Sequence, residues 1–180
     1  MFARGGYAEA SAEAIAREAG MSKATFYEHF ANKEECIVAL FDTATEIVLD
    51  SMREAAARDT AEDPRARVRT TLGAFLGTLA HYPDESQTLL VEIVGAGPRA
   101  MERRDRALEA VAQYLEELNA EDAERGATPR LRPNDAYAIV GAVVELASRQ
   151  IRTGNPETMS ELEPVIERLT LGLMATDDGP

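Results

Sequence analysis

Residues 14–35 read AIAREAGMSKATFYEHFANKEE, and the AGMSKATFYEHF at its centre decides the fold of the N-terminal part. Ser11 is a good N-cap for a helix running to residue 19, whose Ile15, Ala16 and Ala19 fall on one face. Gly20 stops that helix as a C-terminal glycine. Ser22 caps a second helix, residues 23–30, and Asn32 opens a third with Glu34 and Glu35 in its first turn, where carboxylates suit the helix dipole. Ala19 and Gly20 allow two helices to approach closely, and Met21 plugs the gap between them. Two short helices joined by a turn of about three residues make a helix-turn-helix. In such units the second helix enters the major groove of DNA, and its free N–H groups and positive end favour phosphate.

Working outward, the rest of the chain also reads as helix, with no alternating β-branched pattern. Gly5-Gly6 is expected to end a helical stub over residues 1–4. The helix opened by Asn32 carries Ile37, Leu40, Phe41, Ala44, Val48 and Met52 on one stripe and closes at the acidic break RDTAEDP, residues 58–64. Pro64 can start the next helix, residues 65–81, which is followed by one at about 85–94. GAGP interrupts, and a strongly charged helix spans about 99–123. RGATPRLRPND is a loop, residues 135–152 form the most apolar helix, and a last helix covers about 159–174 before the frayed tail ATDDGP. The fold class is all-α: a helix-turn-helix unit over residues 1–41, a helical effector-binding and dimerisation domain over 42–176, and a disordered tail at 177–180.

Composition narrows the function. Hydrophobic residues make up 45% of the 180, enough for a real core. No apolar run approaches the ~20 residues of a membrane span, the N-terminus lacks the apolar region of a signal peptide, and a cytoplasmic location follows as the default. One cysteine, Cys36, excludes an intrachain disulfide; with two histidines it makes a structural zinc site an unexpected feature. No Ser-His-acid order, metal cluster or glycine-rich phosphate loop points to an enzyme or to a cofactor. The net charge of -13 argues against wrapping nucleic acid over the whole surface. Residues 1–35 carry four basic and six acidic side chains, so any DNA binding comes from placement of groups rather than bulk charge.

The stretch GGYAEASAEAIAREAGMSKATFYEHFANKEE resembles the TetR family of transcriptional regulators, most closely at Gly6-Tyr7, IAREAG, SKATFYEHF and NKEE. The likeness covers residues 2–41 and begins at the last turn of the family's first helix, so it implies a shortened N-terminus. The resemblance implies that Lys23, Ala24 and Thr25 face base edges. It implies that Tyr27 and His29 touch the phosphate backbone, that Lys33 meets a phosphate, and that Ser11 and Ser22 are caps lying near phosphate. Phe26 and Phe30 then anchor the reading helix against Ile15, Leu40 and Phe41. The chemistry is reasonable in itself: lysine can donate to guanine, a threonine methyl can pack on thymine, and tyrosine or histidine can donate to phosphate, which positions without specifying.

The apolar helices at 135–152 and 159–174 hold more apolar surface than one protomer core needs. They can pair with their copies as a four-helix interface under a two-fold axis, with Ile139, Val143, Leu146, Val165, Ile166, Leu169 and Leu173 as the expected contacts. The family likeness implies the same use. Between this face and the reader lie Phe75, Leu79, Tyr82, Leu90, Ile93, Val111, Tyr114, Leu118, Tyr137 and Val144, expected around a pocket for a mainly hydrophobic effector. The expectation is therefore a homodimeric, ligand-responsive regulator, a repressor of a palindromic double-stranded operator. The alternative is a helical dimer that binds a small molecule or protein and no longer binds DNA.

Overall fold

The computed structural model describes residues 2–59 and 63–174, leaving out the side chain of Arg4. Met1, the centre of the acidic break at 60–62 and the expected tail at 177–180 lie outside the described residues. Within them the elements are helical: α1 (Phe2–Glu9), α2 (Ala12–Glu18), α3 (Lys23–His29), α4 (Lys33–Arg58), α5 (Pro64–His81), α6 (Pro83–Leu90), α7 (Pro98–Glu124), α8 (Asp135–Arg152) and α9 (Glu163–Met174). Short 3-10 turns at Glu92–Gly95 and Pro156–Leu162 follow α6 and α8.

The caps read from sequence set the N-terminal boundaries. Ser11, Ser22 and Asn32 each accept a backbone N–H of the first turn of α2, α3 and α4. Asp63 does the same for α5, with Pro64 in its first turn. The stub expected over residues 1–4 is longer than its glycines imply. Helix continues through Glu9, and Gly6 at φ 76° kinks it rather than ending it. The last helix differs as well: residues 156–162 tighten into a 3-10 segment, and regular α-helix resumes only at Glu163.

A continuous core links the two halves of the chain, from Phe2 and Ala10 through Ile37, Phe41 and Met52 to Leu76, Ile93 and Ile166. Helix α4 carries much of it. Its stripe Ile37, Phe41, Ala44, Val48, Leu49 and Met52 is buried from the reader to the middle of the larger domain. Helices α5 and α7 pack against α4, α8 packs against α7, and α9 packs against α5 and α8. The buried side chain of Asn119 on α7 clips the following loop over this bundle: its amide donates to Thr128 and to the Pro129 carbonyl, and its oxygen accepts from Leu131 N at 2.7 Å.

Candidate nucleic-acid interface and effector cavity

The reading unit is α2–turn–α3. Phe26 is buried beneath it, and Phe30, half-buried, packs against Phe26 with ring centroids 5.5 Å apart. That phase turns Lys23, Ala24, Tyr27 and Glu28 outward, with Tyr27 50% exposed. Ser22 Oγ accepts from Thr25 N at 3.0 Å and shares a hydrogen bond with Thr25 Oγ1 at 2.9 Å. The hydroxyl of Thr25 is thus turned onto its own cap. Ser11 Oγ accepts from Ala14 N. Lys23 is paired with Glu13 on α2, which lowers the glutamate's pKa and raises the lysine's, the hydrogen bond contributing most and charge attraction next. The pair is fully exposed, so water and salt compete for it. His29 is exposed at the last turn of α3.

Lys33 is placed otherwise than the family likeness implies. Its Nζ donates to the carbonyls of Tyr7 at 2.9 Å, Ala8 at 3.2 Å and Ala10 at 3.0 Å, and sits 4.4 Å from the centroid of the Tyr7 ring. An ammonium has three N–H donors, and all three are engaged. Carbonyls at and just beyond the end of α1 run short of helical donors, Tyr7 O keeping only the N–H of Ala10 at 3.2 Å, and the nearest cation caps them. Lys33 is a clamp between α1 and α4, and as placed it has no donor left for a phosphate.

A second grip comes from the larger domain. Glu92 Oε2 accepts from Tyr7 N at 2.8 Å, while Oε1 accepts from Gln87 Nε2 at 2.9 Å. Burial and the neighbouring Glu34 carboxylate raise the Tyr7 pKa, burial being the larger cause. On the other side of α4, Arg103 of α7 forms a bidentate pair with Asp42 at 2.8 and 2.9 Å, and Arg99 reaches Glu35 at 3.5 Å. In the sequence Glu92 stands within the apolar run from Leu90 to Val94. Its partner is a backbone N–H 85 residues away, which no local pattern reveals.

A narrow cavity of about 80 Å³ lies among α4, α5, α7, α8 and α9. Of the ten expected pocket residues, Phe75, Val111, Leu118 and Val144 line it. Leu79 and Tyr82 border a separate groove of about 130 Å³ between α4, α5 and α6, beside Ile47. Leu90 and Ile93 are buried core residues outside the cavity wall. Tyr114 packs near Arg53, with Cζ 5.9 Å from the ring centroid, and Tyr137 faces outward. The polar groups at the cavity wall were missed: Arg67, Thr71, Asn119, Asp122 and Thr170. Arg67 and Thr71 are one helical turn apart, which puts both on the inner face of α5 beside Phe75.

The expected dimer contacts also need correction. Ile139, Val143 and Ile166 are buried within the protomer, and all three line the cavity. Leu146 and Leu173 are half-buried and packed against the core. The face that α8 leaves open carries Tyr137, Ala138 and Glu145, and on α9 Val165 and Leu169 are 39% and 38% exposed. The physical reason is phase: at 100° per residue Ile139, Val140, Val143 and Val144 turn to the core together with Ala136 and Ala147, and Tyr137, Ala138 and Glu145 turn outward.

Residues 1–40 match the family model for bacterial regulatory proteins of the tetR family. The whole fold is similar to solved regulators. The fatty acid degradation regulator FadR from Bacillus halodurans superposes with a TM-score of 0.82 at 20% identity, over 98% of this chain and 91% of that one. FadR from Bacillus subtilis, solved in complex with stearoyl-CoA, gives a TM-score of 0.79 at 16% identity, over 97% and 92%. The regulator PfmR from Thermus thermophilus gives 0.66 at 23% identity, over 96% and 93%. At these identities the likeness to solved structures speaks for the shared fold, and the match at the reading unit speaks for the family. The reading unit is that of a helix-turn-helix regulator, and the helical fold around it is shared with solved regulators. Over residues 1–40 the chain carries the DNA-reading unit of the tetR family of bacterial regulatory proteins.

Proposed function

We propose that this regulator is a homodimeric repressor that binds a palindromic operator and is released by a mainly apolar small molecule. Helix α4 carries the reading: Lys33 at its first turn holds α1, and Met52 on the same helix lines the cavity. A molecule that enters the cavity therefore touches the element that positions the reader. Residues 1–41 act as the DNA-binding domain and 42–176 as the effector and dimerisation domain. Lys23, Ala24 and Thr25 address base edges, Tyr27 and His29 the phosphates, and the caps Ser11 and Ser22 direct N–H groups toward the backbone. Lys33 serves as the clamp that keeps α1 under this surface. Tyr137, Ala138 and Glu145 with Val165 and Leu169 meet their copies across the two-fold axis.

The stearoyl-CoA bound to Bacillus subtilis FadR is consistent with an apolar effector here. A volume of about 80 Å³ is well below the roughly 300 Å³ of ordinary ligand pockets, so an effector of that size must widen the cavity as it binds. That requirement supplies a two-state element: ligand favours the widened arrangement, and DNA favours the narrow one.

Selection from random duplex DNA tests the reading, using the full chain and a Thr25→Ala, Tyr27→Ala variant. Enrichment of a palindrome by the first and not by the second is expected. A folded wild-type chain that enriches nothing at low salt overturns it in favour of a dimer that no longer reads DNA.

A further inference from the structure

The cavity wall is mostly apolar, and its polar side chains are Arg67, Thr71, Asn119, Asp122 and Thr170. Thr71 is 3% exposed, and its Oγ1 is fully buried with no hydrogen-bond partner. A buried hydroxyl without a partner is unfavourable, and native proteins leave few of them. The usual escape for a helical threonine is a bond to the carbonyl one turn earlier, as Thr45 and Thr78 make in this protein at 2.8 Å each. Thr71 makes none, and it lines the cavity.

The charges around it are balanced. Arg67 lies 3.3 Å from Asp122 and 3.5 Å from Glu121, and Arg125 also pairs with Asp122. Two guanidinium groups and two carboxylates leave no net charge in this cluster. A ligand carboxylate would have to displace Asp122 or Glu121 from Arg67, or stand unpaired beside Asp122, itself 4% exposed. An uncharged polar group meets no such conflict.

We propose that Thr71 Oγ1 is the polar anchor of the effector cavity, and that the cavity selects a slender apolar ligand bearing an uncharged hydrogen-bonding group, a hydroxyl or an amide or ester carbonyl. The proposal rests on the reading of this cavity as the effector site and specifies what it takes. A hydroxyl both donates and accepts, so Thr71 serves either kind of ligand group.

The test uses three probes of one chain length: hexan-1-ol, hexane and hexanoate. Their binding to the full chain is followed by titration of backbone amide NMR signals, for the wild type, Thr71→Val and Thr71→Ser. Valine keeps the shape and removes the hydroxyl; serine keeps the hydroxyl. Hexan-1-ol is expected to bind wild type and Thr71→Ser about tenfold more tightly than Thr71→Val, and hexane to bind all three alike. Hexanoate is expected to bind wild type more weakly than hexan-1-ol. The ligand-free Thr71→Val protein is expected to melt at or above the wild-type temperature, since it loses a polar group that has no partner. Equal binding of hexan-1-ol to wild type and Thr71→Val, a preference for hexanoate, or a clear fall in melting temperature for Thr71→Val overturns the anchor. Hexane binding with its signals at the cavity wall would still leave the effector-site reading standing. Failure of every probe to perturb wild-type cavity residues overturns both.

Discussion

Replacing Lys33 with methionine separates two roles for this residue. Methionine keeps most of the stem and removes the three N–H donors. The bond to Ala8 O is exposed, so water replaces it at little cost. Those to Tyr7 O and Ala10 O are part-buried. A bond from a charged donor contributes about 1.5–3 kcal/mol, but one ammonium serves both carbonyls and regains its hydration when they are lost. A combined loss of about 2–3 kcal/mol is therefore expected. The cation over the Tyr7 ring adds about 0.5–1 kcal/mol. For a chain of this size a loss of about 3 kcal/mol lowers Tm by roughly 6–12 °C, measured at fixed protein concentration because the stability of the proposed dimer would depend on it. The second readout is the salt dependence of DNA affinity. A lysine on a phosphate contributes about 0.9 to the slope of log K against log salt. The clamp predicts lower stability and weaker binding with an unchanged slope. Stability within about 0.5 kcal/mol of wild type, together with a slope reduced by about one, would refute the clamp and restore the phosphate role.

Glu92→Ala removes the acceptor of Tyr7 N–H, and hydrogen exchange at that amide should quicken measurably, with a stability loss of about 1–2 kcal/mol by urea denaturation. Gly97→Ala meets both a φ of +114° and a contact of 2.9 Å to Glu34 Oε1, so a loss of about 1–3 kcal/mol is expected by the same measurement. Burial raises the pKa of the Cys36 thiol, so at pH 8 it should react with a disulfide reagent more slowly than in the unfolded chain. The sign for stability follows: the unfolded thiol loses its proton first, so the Cys36 contribution is full below the unfolded pKa and is lost as pH rises through the folded one. Reaction as fast as in urea would place Cys36 at the surface.

The reader was legible because its signals are local. Ser11, Ser22 and Asn32 announce three helix starts, and each bonds the N–H three residues on. Phe26 and the α4 stripe follow from periodicity alone. Phase was harder to fix in the apolar helices. In α8 a stretch such as AIVGAVVELA offers apolar residues on every side, and only packing decides that Val140, Val143 and Val144 face the cavity while Tyr137 faces out. The long-range polar contacts were beyond reading. Lys33 to Ala10, Glu92 to Tyr7 and Asn119 to its loop are each set by where a backbone group is left without a partner in the folded chain. A lysine in a family motif and a lysine capping a helix look identical in sequence.

The distance along α4 decides how much a small cavity can do. Met52 and Lys33 are separated by 19 residues, roughly 28 Å of helix at 1.5 Å per residue. A tilt of about 5° at the cavity end would then carry the Lys33 end some 2–3 Å, roughly the reach of a hydrogen bond. The clamps at Lys33 and Glu92 fasten α1 to both α4 and the segment after α6, so the reader would move as one body. In a dimer on half-sites a turn of DNA apart, two such displacements spoil the fit of both recognition helices at once. The energy required is modest. A hundredfold loss of DNA affinity corresponds to about 2.8 kcal/mol of preference by the ligand for the widened arrangement. At about 25 cal/mol per Å² this is roughly 110 Å² of apolar surface buried only in that arrangement, or between three and four methylenes. The narrowness of the cavity is therefore no obstacle to control. A ligand that fitted it without widening would bind both arrangements equally and leave the operator occupied, however tightly it bound.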